Sequence, residues 1–177
     1  SWGSVPRVGV DGFSVPRGAR GGGTTTGYLS VLQELVDDFY MNDGLPIEES
    51  PLYSENGFSV AGDDKTGRTE PGTYRMWINR EPRFYQTVFY HGRKWAVTNK
   101  VIKFNRGNGN DNSSGDHPWS GYLMYKRINR EVYNLGSSPR NVYRSSYVFR
   151  LAEFYLLYAE ALNEVNPGDS RVVEYVD

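Results

Sequence analysis

Cysteine is absent from the chain, which excludes disulfides, thiol catalysis and Cys-ligated zinc and leaves the redox compartment open. Long apolar runs are absent too; none approaches the roughly 18 residues that mark a membrane-spanning helix. The two histidines, His91 and His117, both sit in segments of turn or loop character. They form no H-E-x-x-H or other metal spacing, so no metal site is expected. There is no G-x-S-x-G nucleophile elbow, and Gly21-Gly22-Gly23 runs into Thr24 rather than into a phosphate-binding Lys-Ser/Thr, so no cofactor is expected either. Charge of one sign is also missing. With 20 Lys plus Arg against 21 Asp plus Glu, no global field draws the chain to nucleic acid or to an anionic membrane. The chain opens at Ser1 without a signal-like apolar run, so a targeting segment is expected upstream.

What is present is aromatic and irregular. The 177 residues suffice for one domain with a core. Only 38% are hydrophobic, and 14 Tyr, 8 Phe and 4 Trp make up much of that share. Such a composition suits a core of amphipathic rings and a surface able to stack on flat ligands. The 20 Gly and 9 Pro imply long irregular segments between few regular elements.

The clearest period lies at residues 147–165. Leu151, Tyr155, Tyr158, Leu162 and Val165 fall on one helical stripe, with Ala152, Leu156 and Ala159 on a second beside it. Small residues on the second stripe permit close approach of another helix, so packing on two sides is expected. Pro167-Gly168 ends the helix, and Asp169 or Ser170 is placed to cap a second one over 171–176. A helix pair cut off inside its second member reads as a fragment, and part of the apolar stripe is expected to lie bare.

Earlier in the chain, 1–27 reads as loop. A helix is expected over 28–41, with Leu32, Leu35, Val36 and Phe39 on its apolar side. Asp37 and Asp38 point about 100° apart on such a helix, which suits a solvated face rather than a metal. Residues 47–72 read as loop, 74–83 as a short helix closed by Glu81-Pro82, and 84–90 with 95–104 as a hairpin turning at His91-Gly92. A strand is expected within 122–128.

Candidate chemistry is thin. Asp64-Lys65-Thr66-Gly67 resembles the start of the phosphorylated aspartate motif of P-type ATPases, but Arg68 breaks the match and the chain lacks membrane spans. A calcium loop in register from Asn110, through Asn112, Ser114 and Gly115, ends at Gly121 instead of the required Glu. The ligand-binding candidates are therefore the loop aromatics Trp2, Tyr53, Phe58 and Trp119, each of which has core packing as its alternative. No catalytic residue stands out. A carbohydrate-cleaving enzyme with an unrecognised carboxylate pair is the alternative function, since two acids need only meet in space.

Four ordered segments carry a resemblance. Arg150-Leu-Ala-Glu-Phe-Tyr-Leu-Leu-Tyr-Ala-Glu-Ala-Leu-Asn-Glu164 resembles the RLAE-x-YL-x-YAEA-LNE signature of the SusD/RagB family. Gln33 to Phe39 with Asp43-Gly44, Asn79 to Tyr85 with Tyr90-x-Gly92, and Gly121-Tyr122 with Lys126 are similar to three more of its segments. Leu32, Val31 and Glu81 replace that family's usual Thr, Pro and Asp, changes that touch local capping more than ligand chemistry. Residues 1–27 carry no such motif.

The resemblance implies an α+β fold, mainly α with minor β. A tetratricopeptide-type helix scaffold would adjoin an irregular, loop-rich half with one or two short hairpins. Residues 1–146 would be the irregular ligand-bearing region, and 147–177 the truncated start of a helix pair. It further implies a non-enzymatic lipoprotein facing outward on the outer membrane, with its lipid anchor outside this chain. Such a protein holds a glycan or other nutrient oligomer for a SusC-like TonB-dependent transporter. Arg80 and Arg83 are expected to be structural, pairing with carboxylates or helix ends.

Overall fold

Two short strands organise the larger part of the molecule. In the computed structural model, which describes residues 14–19, 27, 29–96, 98–107, 110, 117–126, 128 and 148–176, strand β1 (Val88–Phe89) pairs antiparallel with β2 (Leu123–Met124). The register sets Val88 opposite Met124 and Phe89 opposite Leu123. Residues 29–31 flank β2 on its other edge. Ser30 bridges Leu123, the Met124 N–H donates to the Leu29 carbonyl, and the Val31 N–H donates to the Tyr122 carbonyl. Successive strand side chains point to opposite faces, and the core divides accordingly. Phe89, Leu123 and Tyr125 join Val15, Ala19, Trp95, Ile102 and Ile128 in one buried cluster. Val88, Tyr90 and Tyr122 join Val31, Val36, Trp77, Phe84 and Tyr85 in the other.

The rings of the second cluster are in direct contact. Trp77 stacks on Tyr90 at 5.0 Å between centroids and meets Tyr122 edge-on, while Phe84 stacks on Tyr90 at 5.8 Å. The Trp77 Nε1–H donates to the Tyr122 hydroxyl at 3.2 Å, so the indole's polar group is satisfied inside an apolar cluster. This is the core of amphipathic rings that the composition implied.

Helix α1 spans Gln33–Asp37, not the 28–41 expected from its period. Leu29 and Val31 are held extended against β2, and Leu32, at the N-cap, supplies no side-chain acceptor. Downstream, Met41 bridges Arg80 instead of continuing the helix. Val36 is buried as the stripe required, but Leu32 is 67% exposed.

A 3-10 turn at Arg75–Trp77 precedes helix α2, Pro82–Thr87. Pro82 therefore starts a helix instead of ending one, and no strand begins at 84. Pro82 occupies the first helical turn, where its missing N–H costs nothing, and Glu81 is extended at φ −60°, ψ 155°, as a residue before proline prefers. The alternation from Phe84 to Tyr90 was misleading because Phe84, Tyr85, Val88, Phe89 and Tyr90 are all buried, leaving no polar face for it to define.

The expected hairpin turn also moves. Lys94 bridges Val101, the Trp95 N–H donates to Lys100 O at 2.9 Å, and the Asn99 N–H donates to Trp95 O at 2.8 Å. The reversal therefore lies between Trp95 and Lys100, with Asn99 at φ 56°, and residues 84–90 are not its partner.

The chain divides into two units, Ser1–Val142 and Tyr143–Asp177, each described by itself. The second holds helix α3 (Leu151–Val165) and helix α4 (Ser170–Glu174). Asp169 caps α4 by accepting the Arg171 N–H at 3.0 Å, and Tyr175 packs on Tyr155 and Tyr158 at 5.6 and 5.0 Å. The α3 stripes are largely bare: Ala159 is buried, whereas Leu151, Tyr155, Leu156, Tyr158 and Val165 are exposed, as are Phe154 and Leu157 beside them. Among the described residues no helix is long and apolar enough to cross a membrane.

Candidate functional site

The segment from Asn79 to Tyr85 is built as a clasp, with Asn79, Arg80, Phe84 and Tyr85 buried in the fold. Asn79 adopts φ 55°. Its Oδ1 accepts the Lys65 N–H at 2.6 Å and its Nδ2 donates to Asp63 O at 3.0 Å, which fixes the loop carrying Asp64. Arg80 is 1% exposed. Its guanidinium donates to the Val36 carbonyl in the last turn of α1 and lies over the Phe84 ring at 5.1 Å and the Tyr53 ring at 5.7 Å. Burial lowers the Arg80 pKa from its usual value, offset in part by Tyr53 and Asp37. Arg83 instead faces solvent and forks onto Glu81, at 2.8 and 3.1 Å. Both arginines thus play the structural parts expected of them, one at a helix end and one on a carboxylate.

Asp64 is equally occupied. Its carboxylate accepts the backbone N–H groups of Thr66, Arg68 and Thr69 and the hydroxyls of Thr66 and Thr69, all at 2.7–2.9 Å. Burial pushes its pKa upward, but the bonds from Thr66 and Thr69 outweigh that and hold it below the usual value. Asn110, the first position of the calcium register, spends its side chain on Arg17 and Lys103. Its Oδ1 accepts the Arg17 N–H, and its Nδ2 donates to both carbonyls. Residues 111–116 lie outside the described residues.

Of the four ligand candidates, Trp2 also lies outside the described residues. Tyr53 and Phe58 share one patch. The Tyr53 hydroxyl donates to Glu55 Oε1 at 3.0 Å, and the Tyr74 hydroxyl donates to the Glu55 carbonyl. Phe58 pairs with Tyr74 through the backbone and meets its ring edge-on at 5.6 Å. Tyr53 is half-buried under the influence of Arg80 and Glu55; burial first, then Glu55, raises its pKa. Phe58 is 63% exposed.

Trp119 stands elsewhere. It is 79% exposed, more than any other aromatic ring among the described residues. A turn holds it from both ends. The Gly121 N–H donates to Pro118 O at 3.1 Å, the Trp119 N–H donates to Ser30 Oγ at 2.9 Å, and the Ser120 hydroxyl donates to the Val31 carbonyl. Gly121 closes this turn at φ 83°, a conformation that favours glycine. Behind the indole lies His117, buried, with ring centroids 4.7 Å apart. Its Nδ1 has no hydrogen-bond partner among the described residues.

Ser30 and Val31, which anchor the Trp119 turn, also line a groove of about 600 Å³. Leu29, Leu32, Leu35, Phe39 and Met124 give it apolar walls, and Arg83, Gln86, Thr87 and Lys126 supply polar groups. The groove and the buried His117 were not legible as a site. Their residues come from four separate segments, and only the Trp119 side chain advertised itself. Among the described residues no group of three or more His, Asp or Glu is placed to hold a metal.

A family model described as the SusD family matches residues 9–177. No curated protein matches the chain. Among solved structures, BT4246 superposes with a TM-score of 0.58 at 22% identity, covering 86% of this chain and 26% of that one. Selenomethionine BT4246 gives 0.58 at 19% identity, with 86% and 28% covered. BF3747, a SusD-like protein from Bacteroides fragilis NCTC 9343, gives 0.49 at 25% identity, with 84% and 27% covered. The chain therefore spans about a quarter of the length of these structures. The BT4246 likeness is one of fold. Taken with the family match over almost the whole chain, it settles the family: this chain belongs to the SusD family.

Proposed function

We propose that the protein to which this chain belongs binds a glycan or other nutrient oligomer at the outward face of the outer membrane. It would hand that oligomer to a SusC-like TonB-dependent transporter. Family membership supports the class of function, and one observation supports the site: Trp119 is a bare indole on a tethered turn. Leaving so large an apolar side chain in water forgoes about 1.5–3 kcal/mol of burial, and its backbone is already ordered. Such a platform meets the apolar face of a sugar ring at little entropic cost. In this reading the groove beside Ser30 and Val31 extends the contact, and Tyr53 and Phe58 form a separate, weaker patch. The helix pair α3–α4 is the start of a tetratricopeptide-like scaffold, attachment to the membrane is by a lipid anchor outside this chain, and the protein performs no catalysis.

Isothermal titration of the chain with a panel of oligosaccharides and peptides tests the reading. Heat with at least one glycan is expected, weakened about 30-fold or more in Trp119→Ala, the scale of a 2 kcal/mol binding hot spot. The unfolding midpoint of that variant should match the parent. No heat with any of the panel contradicts the proposal.

A further inference from the structure

We propose that Asn56 is a site of spontaneous deamidation, and that the reaction alters the Tyr53–Phe58 patch. Both Asn56 and Gly57 are exposed. Gly57 sits at φ 74° with open space where a side chain would be. Among the described residues neither the Gly57 N–H nor the Asn56 side chain has a hydrogen-bond partner. The Asn56 N–H is held by Ser54 Oγ at 3.2 Å and the Gly57 carbonyl by the Arg75 N–H at 3.0 Å. The reacting pair is therefore positioned at both ends and free in the middle.

A second Asx–Gly pair in the same unit is built the opposite way. The Gly44 N–H donates to Met41 O at 3.0 Å, and the Asp43 carboxylate accepts the Leu45 N–H at 3.1 Å and the Ser50 hydroxyl at 2.7 Å. Both the nucleophile and the carbonyl it would attack are engaged. Asn42, Asn79, Asn99 and Asn163 precede residues with side chains, which hinder the attack, and Asn166 precedes Pro167, which has no N–H.

In the reaction the Gly57 nitrogen loses its proton to a solvent base and attacks Cγ of Asn56. The new N–Cγ bond forms, the Cγ–Nδ2 bond breaks, and ammonia leaves. Water then opens the resulting five-membered imide at either carbonyl, giving aspartate or isoaspartate at position 56. The net change is amide plus water to carboxylate plus ammonium. Isoaspartate routes the main chain through the former side chain and lengthens it just ahead of Phe58. The insertion falls between the Ser54–Asn56 contact on one side and the Gly57–Arg75 bond and Phe58–Tyr74 pairing on the other, so the Tyr53–Glu55 side of the patch is displaced against the Phe58 side. Either product also adds a negative charge beside Glu55, which holds Tyr53 and Tyr74.

The intact chain is held at mildly alkaline and mildly acidic pH, and each Asn is followed by peptide mapping with isoaspartate detection. A free peptide of residues 52–60 serves as the rate reference, and Asn56→Gln as the control. Asn56 should convert to both products at a rate within a few-fold of the free peptide, severalfold faster at the higher pH, with Asp43 unchanged and the signal gone in Asn56→Gln. Asn56 still intact when the free peptide has fully converted overturns the proposal. So does ammonia release that maps only to Asn108–Gly109, which lies outside the described residues.

Discussion

Arg80 shows how a single residue's chemistry decides its part. A buried guanidinium needs its charge spread; two aromatic faces and the Val36 carbonyl provide this, while its Nε has no hydrogen-bond partner among the described residues. Lysine, with a compact ammonium, cannot reproduce the planar fork. Arg80→Lys should lower stability by about 1–3 kcal/mol in urea denaturation, whereas Arg83→Lys, on the exposed Glu81 pair, should leave the midpoint unmoved. Equal loss in both would contradict the clasp. His91 makes a pH-dependent contribution by similar logic. Its Nδ1 accepts the Phe104 N–H at 2.9 Å, which only the neutral ring can do. Burial and then Lys103 lower its pKa below the ordinary 6.5. The unfolded chain thus takes up the proton first as pH falls. The contribution is whole above 6.5 and declines as pH drops below it toward the lowered folded value. His91→Asn, whose Oδ1 replaces the acceptor, should flatten that slope in denaturation midpoints measured across the window; an unchanged slope assigns it to other groups.

At the scale of elements, β2 does the most joining for its length. Leu123 faces Phe89 on one side and Ser30 on the other, and its side chain is fully buried among Val15, Trp95 and Ile102. Leu123→Ala should cost about 2–5 kcal/mol by thermal or urea unfolding. A loss below 1 kcal/mol would mean that the cluster collapses around the gap. The strand was legible in the sequence only as a stretch within 122–128, because a two-residue strand carries no period. Helix α3 was legible in nearly its full length, since fifteen residues repeat a stripe and Pro167-Gly168 punctuates it. Between these extremes, local pattern and tertiary pairing competed. Leu29 and Val31 lie inside the helix expected over 28–41 yet went to β2, and Pro82 read as a stop but serves as a start. In both, backbone pairing to a distant segment decided the outcome, and no local window contains that information. The same limit applies to the site. Trp119 was visible as a loop aromatic, whereas Ser30, which orients it, is 89 positions away.

For the whole molecule, the two units present different surfaces. The Ser1–Val142 unit holds two buried ring clusters, while α3 in the other unit displays Leu151, Phe154, Leu156, Leu157 and Val165 to solvent. An apolar face of this kind favours dye binding and self-association. The chain should bind a hydrophobic dye and sediment in a concentration-dependent way, and Leu157→Glu should reduce both without shifting the unfolding of the larger unit. Undiminished dye binding in that variant would place the exposed surface elsewhere.

The functional reading rests on Trp119, and the indole N–H signals of the chain report on it directly. In a nitrogen–proton correlation spectrum titrated with an oligosaccharide that gives heat, the Trp119 signal should shift with the calorimetric affinity. Those of the buried Trp77 and Trp95 should stay in place. A Trp119 signal unmoved at saturating glycan would contradict the platform.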